Sequence, residues 1–246
     1  MCFFRRKPII EWASMTNIGS RTVNEDSVIA LNDNERFLFV VCDGLGGHGM
    51  GQEAANLVTE IFACEFANYD KTSNFLKNAF DKAQKAVLEV QSTKNLINKM
   101  KTTATALYID KDRFYYGFIG DTRLYHYKNE KLLARTKDHT IAQMLVYSGT
   151  IKDEDIPFHE DRSRLLYVIG DKWDEVKYEI TKQQTAKKGY SFLICTDGLW
   201  EVVYNPMPKK GQDAKQWIKT LETKIIKETA KKDDIDNYSA IAVLMR

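Results

Sequence analysis

Two helical patterns follow one another without an intervening strand in residues 52–91, QEAANLVTEIFACEFANYDKTSNFLKNAFDKAQKAVLEVQ. Apolar residues recur every three or four positions over residues 52–68 and again over 74–91, as on the buried face of a helix. A repeating strand-helix-strand fold would place a strand between these helices. The pair therefore favours an α+β fold, in which helices cover antiparallel sheets.

Seven short runs rich in β-branched and aromatic residues predict the strands. They are residues 27–31, 37–42, 103–109, 114–119, 123–127, 190–196 and 239–244. Two further helices are predicted at 141–148 and 212–230, and the second has a lysine-rich face that is typical of a solvated surface. The polar, irregular segment 148–188 is interpreted as a flap that leaves the core and faces the substrate.

The composition is that of a folded protein with little net charge. Of 246 residues, 43% are hydrophobic, and 36 Lys and Arg stand against 34 Asp and Glu. This balance gives no electrostatic reason to expect a nucleic-acid or membrane partner. With only 4 Pro and 13 Gly there is no evident linker, so we expect one domain over residues 1–246.

The four cysteines predict a reducing compartment. Cys2, Cys42, Cys64 and Cys195 form no Cys-x-x-Cys pair. The basic N-terminus is not followed by the apolar stretch of a secretory signal, and no segment reaches the roughly 18 apolar residues of a membrane span. We expect a cytoplasmic monomer, and a lipid on Cys2 is the less favoured alternative.

Aspartates stand at the ends of predicted strands. Asp43, Asp121 and Asp197 each follow an apolar run, and Asp236 shortly precedes the last one. Any single one of them could be a turn former or a helix N-cap. Several carboxylates brought together repel one another unless a cation neutralises them, and all-oxygen ligands suit Mg²⁺ or Mn²⁺ rather than Zn²⁺. The pattern therefore predicts a divalent-metal site.

An arginine precedes an acidic pair in residues 19–26, GSRTVNED. A guanidinium beside a metal site can bind two oxygens of a phosphate ester, which makes Arg21 a candidate phosphate clamp. Taken alone, the segment fits a surface salt bridge of Arg21 with Glu25 or Asp26 equally well.

These residues resemble the successive motifs of the PPM (PP2C-type) metal-dependent serine/threonine phosphatases, bacterial members in particular. The resemblance extends from about residue 14 to the C-terminus, with the motifs in the family's order. The motifs are Arg21-Thr22-Val23-Asn24-Glu25-Asp26, Asp43-Gly44-Leu45-Gly46-Gly47-His48, Thr102-Thr103, Gly120-Asp121-Thr122-Arg123, Asp138-His139-Thr140, Thr196-Asp197-Gly198-Leu199-Trp200 and Asp236-Asn237.

The resemblance implies a fold and a reaction. The fold is a four-layer α-β-β-α sandwich of two antiparallel sheets flanked by helix pairs. The reaction is hydrolysis of phosphoserine and phosphothreonine in proteins, opposing a Ser/Thr kinase, by a water or hydroxide that bridges two Mn²⁺ or Mg²⁺ ions. A cysteine nucleophile is not needed, and neither Cys42 nor Cys195 is followed by the arginine that a cysteine phosphatase requires.

The resemblance also implies an inner shell of metal ligands. Asp43 would bridge the two tightly bound ions. The Gly44 carbonyl, Asp197 and Asp236 would complete the shell. Before Asp236 the family usually has a Gly-Gly pair, whereas this chain has Asp233-Asp234-Ile235, so its loop is expected to turn differently.

Three more acids would act from outside that shell. Glu25 and Asp26 would act mainly through metal-bound water, and Asp121 matches a position that helps to hold a third, weaker ion in similar bacterial enzymes. Eukaryotic relatives often have a histidine directly after the Asp-Gly pair, where this chain has Leu45. The general acid is therefore unassigned, and His48 is more simply a loop residue than a proton donor.

Three interpretations stay open beside this one. His159, Arg162 and Arg164 could orient a phosphopeptide, or, as we favour, pair with nearby acids. Residues 44–49 satisfy the G-x-G-x-x-G pattern of dinucleotide-binding proteins, but a second helix follows where that fold needs a parallel strand. A catalytically silent member of the same fold would bind phosphoproteins without hydrolysing them; such a module is expected to have lost an inner-shell acid.

Overall fold

Residues 7–45, 50–68, 74–96 and 98–246 are described by the structure, a computed structural model of the chain. The strands are β1 (Ile10–Asn17), β2 (Ser27–Asp33), β3 (Arg36–Cys42), β4 (Gly44–Leu45), β5 (Lys101–Thr102), β6 (Ala104–Asp110), β7 (Arg113–Ile119), β8 (Arg123–Lys128), β9 (Lys131–Arg135), β10 (Glu179–Ile180), β11 (Gln184–Thr185), β12 (Tyr190–Cys195) and β13 (Tyr238–Met245). The α-helices are α1 (Met50–Ala67), α2 (Phe75–Thr93), α3 (Ile141–Tyr147), α4 (Asp197–Trp200) and α5 (Ala214–Thr229), and Asp153–Phe158 form a 3₁₀-helix.

The long strands form two sheets. One has the order β1-β13-β12-β8-β9, and the other has the order β10-β7-β6-β3-β2, with β11 also paired to β7. The short strands β4 and β5 pair with each other. Every strand pairing among the described residues is antiparallel. The described residues therefore contain no parallel βαβ unit of the kind that the dinucleotide-binding alternative requires.

Strand β3 illustrates why the sheets are buried on both faces. After Arg36 its sequence, FLFVVC, is a continuous apolar run, not an alternating one. Val40 packs toward α1 and α2, whereas Phe39 packs into the space between the two sheets. A strand of this kind must be covered by helices on one side and by another sheet on the other.

Three apolar clusters separate four layers. The first lies between the β3 sheet and the helices α1 and α2, where the rings of Phe62 and Phe80 meet at right angles. The second lies between the sheets and includes Phe192. The third lies between the β12 sheet and the helices α3 and α5, around Trp217. The predicted α-β-β-α sandwich of antiparallel sheets is confirmed.

The strand register brings the predicted site residues to one end of the sandwich. Cys42 pairs with Ser27, so the residues after β3 lie beside those before β2. Asn17 pairs with Tyr238, so the chain leaving β1 lies beside the chain entering β13. β12 ends next to the start of β13 in the same sheet.

The seven predicted strands correspond to β2, β3, β6, β7, β8, β12 and β13, and the four predicted helices correspond to α1, α2, α3 and α5. β1, β9, α4 and the two-residue strands were not predicted from the sequence. Segment 148–188 contains the 3₁₀-helix, β10 and β11, and the last two pair with β7. No helix among the described residues is long and apolar enough to cross a bilayer.

Candidate metal and phosphate site

A cavity of about 420 Å³ opens at the end of the sandwich where these strand ends meet. Besides the Gly44 backbone, its described walls contain one basic and five acidic residues: Arg21, Glu25, Asp43, Asp121, Asp197 and Asp236. Asp26 lies beside this wall and is only 8% exposed. The structure thus brings the sequence-predicted site residues to one cavity, with Asp26 beside it and not in its lining, while their roles toward a metal stay predictions.

A pair of threonines fixes the backbone of Asp43. The Asp43 N–H donates to the Thr103 hydroxyl at 3.0 Å, and the Thr102 hydroxyl donates to the Asp43 carbonyl at 2.8 Å. At Gly44 a Cβ atom would stand 2.3 Å from the backbone of Gly51, so only glycine lets α1 pack this closely. The threonine pair is one of the motifs in the sequence, but its role in holding the Asp43 backbone is visible only in the structure.

Asp26 is positioned by a hydrogen bond from Thr196, the residue that follows β12. The Thr196 hydroxyl donates to Asp26 Oδ2 at 3.1 Å. The same hydroxyl accepts the Ser239 N–H at 2.9 Å, which ties β12 to β13 next to the acid. Burial raises the pKa of Asp26 to about 7, with smaller contributions from the charges of Asp197 and Asp236.

The carboxylates inside the cavity raise one another's pKa. Burial and then Asp197 raise the pKa of Asp43 well above its usual value. Burial, followed by Asp197 and Asp138, has the same effect on the pKa of Asp121. Burial and the nearby Asp236 raise the pKa of Asp197 to about 6. Without a cation these carboxyl groups are therefore hard to ionise together, and a nearby divalent cation would favour their charged forms.

The donor chemistry of the cavity fits a hard divalent cation. Glu25 Oε1 and Asp26 Oδ1 are buried and have no hydrogen-bond partner among the described residues. Such oxygens need a donor or a cation. Within the described residues no three His, Cys, Asp or Glu side chains already converge as a finished ligand set.

Arg21 pairs with the acidic loop before β13. Its Nη2 donates to Asp236 Oδ2 at 3.1 Å, and its Nε lies 3.5 Å from Asp234 Oδ1. The alternative pairing with Glu25 or Asp26 is absent from the ion pairs of the described residues. The structure therefore leaves Arg21 in the cavity wall, beside Asp236.

Asp121 is supported from behind by a buried ion network. Trp200 Nε1 donates to the Asp121 carbonyl at 3.0 Å, and the guanidinium of Arg123 stacks 3.4 Å from the centre of a Trp200 ring. Arg123 binds the fully buried Asp138, which also accepts from Arg135. Apart from Arg135, these side chains stand in the quoted motifs, but nothing in the sequence alone showed that they meet.

The flap contributes two cavity residues that the sequence analysis did not single out, Ser163 and Leu165. Leu165 forms an isolated antiparallel bridge with Thr140, just before α3. The nearby basic side chains pair with acids, as the favoured alternative predicted: Arg162 with Glu201 at 2.7 Å, and Arg164 with Asp161 at 2.7 Å. His159 Nδ1 accepts the Asp161 N–H.

The thiols near the cavity have the wrong chemistry for a nucleophile. Cys42 and Cys195 are fully buried, and burial raises the pKa of both thiols. A nucleophilic thiol needs a lowered pKa. The prediction that both are core residues is confirmed. His48 and Cys2, which were also considered, lie outside the described residues.

Comparison with known proteins gives consistent findings. The family pattern described as Protein phosphatase 2C matches residues 15–237. The serine/threonine protein phosphatase PstP of Mycobacterium tuberculosis is 32% identical over 201 residues, which are 79% of this chain and 37% of the relative. This chain thus spans little more than a third of that relative's length.

Solved structures share the fold. The crystal structure of the M. tuberculosis serine/threonine phosphatase PstP/Ppp superposes with a TM-score of 0.82 at 25% identity, covering 96% of this chain and 99% of the other. A second structure, of the PstP catalytic domain in complex with two manganese ions, has a TM-score of 0.79 at 24% identity, covering 95% and 97%.

Proposed function

Because this chain belongs to the protein phosphatase 2C family, we propose that it hydrolyses phosphoserine and phosphothreonine in proteins with two divalent cations, Mn²⁺ or Mg²⁺. One observation carries the proposal: five carboxylates and one arginine line a single cavity at the end of the sandwich. Carboxylate oxygens are the ligands of such cations, and a guanidinium binds phosphate oxygens. The two-manganese complex of the mycobacterial PstP domain supports the choice of ions.

The predicted inner shell would hold the two tight ions: Asp43, the Gly44 carbonyl, Asp197 and Asp236. Two divalent ions bound there would supply an activated water for attack on phosphorus and would offset charge on the phosphoryl oxygens. Glu25 and Asp26, whose buried oxygens lack partners among the described residues, would act from the rim of that shell.

The remaining cavity residues would bind the substrate phosphate, a third ion and the substrate peptide. Arg21 would bind two phosphate oxygens and orient the ester toward the carboxylates. Asp121 would serve a third, weaker ion. Ser163 and Leu165 would bring the flap, residues 148–188, against the peptide around the phosphorylated residue. No side-chain nucleophile is required, which agrees with the raised thiol pKa of Cys42.

The proposed function also implies a partner kinase, and the cysteines favour a cellular compartment. A phosphoprotein substrate implies a cognate Ser/Thr kinase that phosphorylates it. The free thiols of Cys42, Cys64 and Cys195 favour a reducing compartment, the cytoplasm. The described cavity walls come from one chain, so a monomer within a single domain suffices.

A silent phosphoprotein-binding module is the rival proposal. It is not favoured, because every acid of the inner shell has a residue in the cavity wall. The two proposals differ in one respect, since a silent module binds metal or phosphoprotein without releasing phosphate.

Phosphate release from a phosphothreonine peptide tests the proposal. We expect turnover by the wild type with Mn²⁺, none after chelation, and loss of turnover in Asp43→Ala. Arg21→Ala should raise KM more than it weakens Mn²⁺ binding. Asp112→Asn is the matched control, since it removes an exposed acid from the β6–β7 turn, away from the described cavity walls. Turnover that survives chelation, or Mn²⁺ binding by the wild type without turnover, contradicts the proposal.

A further inference from the structure

Two loops at the cavity are joined by a pair of hydrogen bonds between Ser20 and Ile235. We call residues 18–21 the arginine loop and residues 233–237 the acidic loop. Ser20 N–H donates to the Ile235 carbonyl at 2.9 Å, and Ile235 N–H donates back to the Ser20 hydroxyl at 2.8 Å. Gly19 has φ of +61°, and a Cβ there would stand 2.3 Å from the Asp236 carbonyl oxygen. The two loops are therefore one packed unit.

Asn237 fastens this unit to the segment that follows Arg21. Its Nδ2 donates to the carbonyls of Ile18 and Val23, and its Oδ1 accepts the Glu25 N–H at 2.8 Å. These bonds fix the backbone on both sides of Arg21. The direction of the long arginine side chain then depends on the partners of its guanidinium.

Two carboxylates of the acidic loop are those partners. Asp236 accepts from Nη2 at 3.1 Å, and Asp234 Oδ1 lies 3.5 Å from Nε. Asp236 is also a proposed metal ligand, and a carboxylate that binds a cation attracts the arginine less strongly. Asp234 is 76% exposed at its side chain and does not line the cavity. It can hold Arg21 whether or not an ion is bound.

We propose that Asp234 is a positioning residue, which holds Arg21 at Nε so that the terminal nitrogens meet the substrate phosphate. The proposal rests on the proposed function, because it needs a phosphate in the cavity. A guanidinium has one donor on Nε and four on its two terminal nitrogens. An ion pair at Nε does not occupy the terminal nitrogens, and Nη2, which donates to Asp236 here, would become available to phosphate once Asp236 binds a cation instead. The Gly-Gly pair of the resembled family could not supply this carboxylate.

The test compares neighbouring acids. Asp234→Asn removes the anchor, and Asp233→Asn removes the same charge one residue away, where the described residues show no ion pair. For Asp234→Asn we expect KM for a phosphothreonine peptide to rise about two- to fivefold, as suits an exposed pair, with kcat and Mn²⁺ affinity unchanged. Asp233→Asn should leave KM unchanged, and Asp234→Glu should restore part of the loss.

A double-mutant cycle shows whether the effect passes through Arg21. In the Arg21→Ala background, Asp234→Asn should change KM no further. An equal rise in KM there, or weaker Mn²⁺ binding by Asp234→Asn alone, would overturn the proposal. An equal rise in KM for Asp233→Asn would also overturn the proposal, since it would show that KM depends on the net charge of the loop and not on the contact between Asp234 and Arg21.

Calorimetric titration of inorganic phosphate into the Mn²⁺-loaded protein gives a readout that does not need turnover. Asp234→Asn should weaken phosphate binding by the same factor as it raises KM. If the wild type binds phosphate, the variant binds it less tightly and neither hydrolyses the peptide, the positioning role holds and the proposed function fails. If the two bind phosphate equally, or the wild type does not bind it, the positioning role fails.

Discussion

The indole Nε1 of Trp200 donates a hydrogen bond to the backbone carbonyl of Asp121 at 3.0 Å. Trp200 ends α4, the short helix whose first residue is Asp197. One buried side chain therefore links the backbone of one cavity acid to the helix that carries another. The positions of Asp121 and Asp197 are set by packing behind the cavity as well as by groups inside it.

Replacing Trp200 tests this link. Trp200→Phe leaves the Asp121 carbonyl without its partner, and we expect the free energy of unfolding to fall by about 1–3 kcal/mol and kcat to fall as well. Trp173→Phe is the matched control, since Trp173 Nε1 donates to the Val168 carbonyl at 3.1 Å away from the described cavity walls. Denaturant titrations should show that both variants are destabilised. An equal loss of kcat in both would show that Trp200 acts only through stability.

Asp121→Asn tests whether Asp121 binds only the third ion and not the two tightly bound ions. We expect lower turnover while calorimetry still counts two tightly bound Mn²⁺ ions. The metal-free variant should unfold at a higher temperature than the wild type, because burial and Asp197 raise the pKa of Asp121 and its charge is costly there. Loss of the two tight ions would mean that Asp121 belongs to the inner shell instead.

The raised pKa of Asp26 predicts a pH dependence of stability without metal. Its folded pKa of about 7 lies above its usual 3.8, so the folded state holds a proton that the unfolded chain releases. The resulting stabilisation is complete below pH 4 and is lost as the pH rises through 7, by about 4 kcal/mol at most. An amide in place of this carboxyl does not titrate. Asp26→Asn should therefore gain stability relative to the wild type from pH 4 to pH 7.

The measurement for Asp26 is a set of denaturant titrations in the presence of a chelator. A difference between wild type and variant that stays constant from pH 4 to pH 8 would contradict the prediction. With saturating Mn²⁺ the dependence should reverse, because protons then compete with the ions for the same carboxylates.

His126, which does not line the described cavity, predicts a pH dependence of stability opposite in sign to that of Asp26. Its ring stacks on Phe192 at 4.6 Å, and its Nε2 is buried without a partner among the described residues. Burial lowers its pKa from 6.5 to about 4. Between these two pH values the imidazole is protonated in the unfolded chain but neutral in the folded protein. The wild type should lose up to about 3 kcal/mol between pH 6.5 and pH 4 through this group.

His126→Leu isolates that contribution. The free energy of unfolding of the variant, relative to that of the wild type, should be higher at pH 5 than at pH 8, because only the wild type loses stability through this imidazole as the pH falls. Thermal unfolding of both proteins at the two pH values measures it. A gap of the same size at both pH values would show that the imidazole takes up a proton in the folded state as easily as in the unfolded chain.

The sequence predicted the strands that are buried on both faces and also the outer strand β2, but it did not predict the outer strands β1 and β9 of the other sheet. β3 and β12 are continuous apolar runs, because one face meets helices and the other meets a sheet. β1 and β9 are the outer strands of their sheet and expose part of their length. Such strands mix polar and apolar residues, so the local pattern does not separate them from loops.

The charged residues of the candidate site were predictable from the sequence, because carboxylates suit divalent cations and an arginine suits phosphate. Acids at strand ends, and an arginine before an acidic pair, identified the cavity residues. Their supports were not predictable, because Trp200 and Asp121 are 79 residues apart and meet only through the sheet packing. The partner of Arg21 also depended on tertiary contacts, which favour Asp236 over the nearer Glu25.

Crystallographic location of Mn²⁺ by anomalous scattering at the manganese edge tests the central claim most directly. Crystals soaked at millimolar Mn²⁺ should give two strong peaks in the cavity, both within ligand distance of Asp43, with Asp197 and Asp236 around them, and a weaker third peak beside Asp121. A cavity without peaks, or peaks only elsewhere on the molecule, would contradict the claim that these distant acids hold a pair of divalent ions.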